Sequence, residues 1–159
     1  MVVYHSRAEI TKKVAEAISN LLKCDVERIV EKKNRAGIIG YITAGRDARR
    51  RKLTEIEDAK FNPGEYDLTI IGTPVWAANI SPAVRTYLTQ HKDEFRKTAF
   101  FCTCSGNKGK VFEEMESACG KKPIALLELR RKEVEEREHL QKIRDLVDNL
   151  NRMRQKNPT

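Results

Sequence analysis

The chain has 159 residues, enough for one sizeable hydrophobic core, and 40% hydrophobic with 34% charged residues is the composition of an ordinary globular domain on the charged side. No apolar run is long enough to span a bilayer and no leader with an apolar centre is legible, so no membrane role and a cytoplasmic address are expected. The formal charge of +8 attracts acidic partners or anionic cofactors. No recognisable nucleic-acid module accompanies it, so specific nucleic-acid binding is not expected.

In chain order, strand and helix patterns alternate, which predicts a parallel sheet covered by helices on both faces. A first strand is expected at residues 2–5, so close to Met1 that either it is short or the chain start is truncated. A helix at 11–23 follows, with Ile10, Val14, Ile18 and Leu21 on one stripe. A second strand is expected at 25–30. The segment 31–65 is less readable, with a helix around 38–53 in which Gly37, Gly40 and Gly45 weaken the pattern beside the cations Arg46, Arg49, Arg50, Arg51 and Lys52. This segment reads either as a lid or docking surface, or as a solvated charged face beside an apolar stripe of Ile38, Ile42, Leu53 and Ile56; the second reading is preferred.

The apolar run Leu68, Ile70 and Ile71 lacks clean alternation, as expected of a strand covered on both faces. Ser81 and Pro82 mark a helix start, Ser as a cap and Pro in the first turn. Between them lies the loop TPVWAAN. Further elements are a strand at 97–104, a helix at 108–119, a strand at 124–129 and a long helix at 134–154 with the stripe Leu140, Ile143, Val147 and Leu150. The tail 151–159 is polar and expected to fray. No repeat or second domain is visible, so residues 1–159 form a single domain. Cys24, Cys102, Cys104 and Cys119 lack metal-ligand or redox-motif spacing and read as buried free thiols; no metal site is expected.

Three loops at the carboxyl ends of strands could carry chemistry. SRAEIT, residues 6–11, opens a helix, where backbone N–H groups and the helix dipole attract an anion. SRAE is also a capping-box pattern, in which Ser6 and Glu9 would satisfy each other's backbone donors. TPVWAAN presents Trp76, the single tryptophan, as a ring platform or as a lid over the sheet end. CTCSGNKGK, residues 102–110, has Gly106 and Gly109, which permit close backbone approach to a flat ring.

Together these loops resemble those of the flavodoxin-like family, and the resemblance covers nearly the whole chain. It implies a three-layer α/β/α sandwich whose five-stranded parallel sheet has the order 2-1-3-4-5, with FMN at the crevice between the first and third strands. By resemblance, Ser6, Arg7, Ala8, Glu9, Ile10 and Thr11 would anchor the phosphate, keeping the two hydroxyl ends of a motif similar to S-x-T-G-x-T. Thr73, Pro74, Val75, Trp76, Ala77, Ala78 and Asn79 would form the ring platform, and Cys104, Ser105, Gly106, Asn107 and Gly109 the closing loop. Glu9 stands where the family usually has Gly, Ala8 replaces a hydroxyl residue, and Ala78 stands where related loops often have Gly. The implied function is FMN-dependent electron transfer between protein partners, with no dedicated catalytic residue. The alternatives are a reductase of flavins or quinones that uses a nicotinamide cofactor, and an interaction module without flavin. An acidic redox partner suits the charge, and the fold admits a homodimer.

Overall fold

In a computed structural model, residues 1–32 and 37–156 are described. A parallel sheet is built from β1 (Val2–Tyr4), β2 (Val26–Arg28), β3 (Leu68–Trp76), β5 (Lys97–Cys104) and β6 (Leu126–Arg130) in the order β2-β1-β3-β5-β6. Counting only the parallel strands, this is the expected 2-1-3-4-5. A sixth, two-residue strand, β4 (Asn79–Ile80), pairs antiparallel with the end of β3. The helices are α1 (Ile10–Leu22), α2 (Gly37–Arg49), α3 (Pro82–His91), α4 (Val111–Cys119), α5 (Arg131–Glu135) and α6 (His139–Lys156). Among the described residues no helix is long and apolar enough to cross a membrane.

The pleat divides each buried strand between two cores. Val2, Tyr4, Ile70, Ala99 and Phe101 face one side, where Val14 and Ile18 of α1 and Ile143, Val147 and Leu150 of α6 cover them. Val3, Ile71, Phe100 and Cys102 face the other, beneath Val84, Tyr87 and Leu88 of α3 and Val111 and Met115 of α4. This explains the unalternating runs in sequence. A strand with helices on both faces has no polar side.

Several boundaries differ from the sequence reading. The single helix expected over 134–154 is broken at Arg137, which takes φ 64°, so α5 and α6 are separate. Glu133 stabilises the break: its carboxylate accepts the Arg130 backbone N–H at 2.6 Å and pairs with Lys142, which holds it below the usual carboxylate range. At the other end, α6 continues through Lys156, so residues 151–156 are helical, and the last three residues of the expected tail lie outside the described residues. The helix α2 stops at Arg49, short of residue 53, because Arg51 reverses at φ 53° and the Arg51 and Lys52 N–H groups close back on Ala48 and Asp47. Of the apolar stripe expected beside it, Ile42 and Leu53 are exposed, Ile56 is partly buried against the core, and the side chain of Ile38 lies outside the described residues.

Candidate functional site

The strand order reverses between β1 and β3, and a cleft of about 760 Å³ opens there at the carboxyl ends of the strands. That size falls within the roughly 300–1,000 Å³ of small-molecule and cofactor sites, and a switch point in an open parallel sheet is where such sites form. Its floor is the turn after β1. Ser6, Arg7, Ala8, Ile10 and Thr11 line it, while Pro74, Val75, Trp76 and Ala77 form one wall and Thr103, Cys104 and Ser105 another.

The turn does not form the capping box. Glu9 takes a left-handed conformation, φ 60° and ψ −11°, and caps α1 with no side-chain hydrogen bond. Its carboxylate points outward to Lys12 at 2.8 Å, and that bond lowers its pKa. The hydroxyl of Ser6 is buried with no hydrogen-bond partner. The reason the box does not form is the place where the helix starts: Glu9 itself is the N-cap of α1, so Ser6 and Glu9 do not occupy the N-cap and N3 positions that a capping box needs. Because the position favours glycine, Glu9→Gly is expected to raise the unfolding midpoint of the protein, whereas a working capping box would make the same change lower it. Thermal unfolding followed by circular dichroism decides the sign.

Two side chains brace this turn. Arg28, on the edge strand β2, donates from Nη2 to the Ser6 carbonyl at 2.8 Å. Thr11 and Thr103, far apart in sequence, share a hydroxyl hydrogen bond at 2.8 Å that ties α1 to the end of β5. Thr103 was missed in sequence because only its two neighbours, as cysteines, drew attention.

The loop expected to carry Trp76 is a hairpin. Trp76 ends β3, and Ala77 and Ala78 turn the chain at φ 48° and 60° into β4, with Trp76 opposite Asn79. Two consecutive left-handed alanines carry none of the usual Asn-Gly signal, which is why the turn was not legible. Trp76 packs edge-on against His5, ring centroids 5.5 Å apart, and is half-buried at the cleft wall. Thr73, fully buried, points away from the cleft: its hydroxyl accepts the Ser81 N–H at 3.2 Å and ties the hairpin to the start of α3.

Other expected residues also stand outside the lining. Asn79 donates to the Ala77 carbonyl at 2.8 Å, and Asn107 accepts the Gly109 N–H at 2.7 Å. Gly106 is exposed. Gly109, at φ 61°, lies so close to the hairpin that a Cβ there would sit 2.4 Å from the Ala78 carbonyl oxygen. These residues shape the loops rather than the wall.

The helix α2, expected to present a solvated charged face, exposes Arg46 and Arg49 and also borders the cleft. Ile42, Gly45, Arg46 and Arg49 recur at helical spacing and line the cleft, and Arg131 at the start of α5 adds a further cation. Among the described residues, the charged ones lining the cleft are thus Arg7, Arg46, Arg49 and Arg131. The Cys104 thiol is pushed up by burial and then by Glu128, so it stays protonated and unreactive near neutral pH. Among the described residues no cluster of His, Cys, Asp or Glu could hold a metal.

No protein-family model matches the chain, and no curated protein does. Solved structures do. A flavoprotein in complex with FMN from Lactobacillus acidophilus NCFM is similar at 25% identity and TM-score 0.69, over 85% of this chain and 95% of that one. A flavodoxin from the domain Archaea (16% identity, TM-score 0.53, 92% and 96% covered) and the Trp repressor binding protein from Bacillus subtilis (13%, 0.57, 89% and 95%) share the fold. With the strand order and the cleft at its point of reversal already established, these likenesses show that the chain has the flavodoxin-like fold.

Proposed function

We propose that the cleft binds FMN and that the protein is a redox carrier passing electrons between protein partners. One observation carries the reading: the buried, unpartnered hydroxyl of Ser6 sits at the foot of α1 in a cleft whose charged lining, among the described residues, is arginine. A buried hydroxyl without a partner costs about 1–3 kcal/mol, and a phosphate oxygen would remove that cost. Ser6, Thr11 and the first turn of α1 would hold the phosphate, with the helix dipole and Arg7 supporting its charge. Trp76 and the residues after β5 would flank the flavin ring, whose bound form supplies reversible electron transfer. Arg28 keeps the Ser6 carbonyl turned out of the anion's path. The four thiols are free, which suits a reducing compartment such as the cytoplasm.

The test is reconstitution with FMN, FAD and riboflavin, followed by ultrafiltration and absorbance. FMN is expected to be retained. Ser6→Ala and Arg28→Met should each weaken FMN by about tenfold, the worth of one charge-assisted hydrogen bond, and leave riboflavin, which lacks the phosphate, unchanged. Equal losses for both ligands would remove the phosphate from this turn. Retention of no flavin would leave the interaction module standing, and oxidation of reduced nicotinamide by the loaded protein would establish a reductase instead.

A further inference from the structure

The cations of α2 line the same cleft as Ser6 but come from a different element than the turn that opens α1. Arg46 and Arg49 stand one turn apart on the cleft-facing edge of the helix, with Ile42 one turn before them and 63% exposed. Ala77 and Ala78, at the tip of the hairpin, are also exposed, and Gly45 lies 3.8 Å, measured from a built Cβ, from the Ala77 methyl. Arg7 and Arg131 complete the mouth from other elements.

We propose that this face, α2 with the hairpin tip, is the docking surface for an acidic electron-transfer protein. The proposal rests on the redox reading of the cleft and names the partner's chemistry. An apolar centre rimmed by cations has the anatomy of a protein interface, in which the centre excludes water and the charged rim steers the approach. A small phosphate ligand requires donors that converge on one point. The arginines here come from three separate elements, and the side chains of Arg46 and Arg131 are more than half exposed. The buried, unpartnered hydroxyl of the cleft is that of Ser6, at the turn before α1 and not on α2. Arg131 pairs with Glu135 and Arg46 stands 3.9 Å from Asp47, but among the described residues the charged ones that line the cleft itself are cations, which disfavours a basic partner.

The probes are a plant-type [2Fe–2S] ferredoxin, which is strongly acidic, and cytochrome c, which is strongly basic. Each is titrated into the ¹⁵N-labelled protein at low salt. Ferredoxin should shift or broaden the amides of α2 and of Ala77 and Ala78, cytochrome c should not, and about 0.15 M salt should weaken the effect. Arg46→Glu with Arg49→Glu should weaken ferredoxin binding at least tenfold, whereas Arg152→Glu with Arg154→Glu at the end of α6 should not. Binding of cytochrome c, equal losses from both arginine pairs, or inorganic pyrophosphate shifting the α2 amides while ferredoxin leaves them unmoved would each overturn the proposal. Amide shifts are read with or without flavin, so failure to retain FMN and failure to dock are separate results.

Discussion

Gly72→Ala is expected to cost about 3 kcal/mol of stability, the upper range for overpacking a core, and to lower the unfolding midpoint by about 6–12 °C. Gly72 lies in the central strand β3, paired with Tyr4 on one side and Phe101 on the other. A Cβ at this position would meet the Phe101 ring 2.0 Å from its Cζ. The ring has nowhere to go. Phe101 is fully buried among Val14, Ile18 and Leu129, and the clash must push apart the strand that carries the cleft wall and the helix that follows the Ser6 turn. Urea unfolding of the single variant and of Gly72→Ala combined with Phe101→Leu checks the cause. The smaller side chain should recover much of the loss; if the double variant is less stable than the single one by the full cost of Phe101→Leu alone, the steric account is wrong.

Glu114→Ala should cost a comparable 3–5 kcal/mol, the penalty for stranding a buried ion. Glu114 is buried on α4 and pairs with two arginines, Arg85 of α3 and Arg51 just after α2. Arg85 is only 11% exposed and its Nε already lacks a partner, so removal of the carboxylate leaves its charge in a poorly solvated site. Arg51 provides the contrast. Its side chain is 67% exposed, and Arg51→Ala should cost less than about 1 kcal/mol, as exposed pairs do. The same pair joins α4 to the chain leaving α2, so Glu114→Ala should also loosen the wall of the cleft formed by α2. Hydrogen exchange along α2, compared between the two variants in native buffer, reads that effect; similar exchange in Glu114→Ala and the unmodified protein would place the ion pair's role in α3 and α4 alone.

The sequence by itself determined the parts whose signals are local. Apolar runs at residues 68–71 and 97–104 specified strands covered on both faces, and the alternation of strand and helix specified a parallel sheet, whose order was implied by the flavodoxin-like resemblance. Ser81 and Pro82 start α3 as their chemistry requires, the Ser81 hydroxyl accepting the Val84 N–H at 3.4 Å. The resemblance of three loops to those of the flavodoxin-like family named Ser6, Thr11, Trp76 and Cys104, and the strand order brings their loops to one point of reversal. Tertiary structure decided the rest. The helix α2 has too many glycines and too weak a period to show which side it presents, and its apolar Ile42 faces an open cleft, a destination that no hydrophobic pattern distinguishes from a core. Glu9, Ala77, Ala78 and Arg137 hold left-handed conformations without the glycine that normally announces them, so the start of α1 after Glu9, the hairpin and the break before α6 left no mark in the sequence. The surrounding packing holds these strained turns in place, and the Thr11–Thr103 bond likewise exists only once the sheet has brought α1 and the end of β5 together.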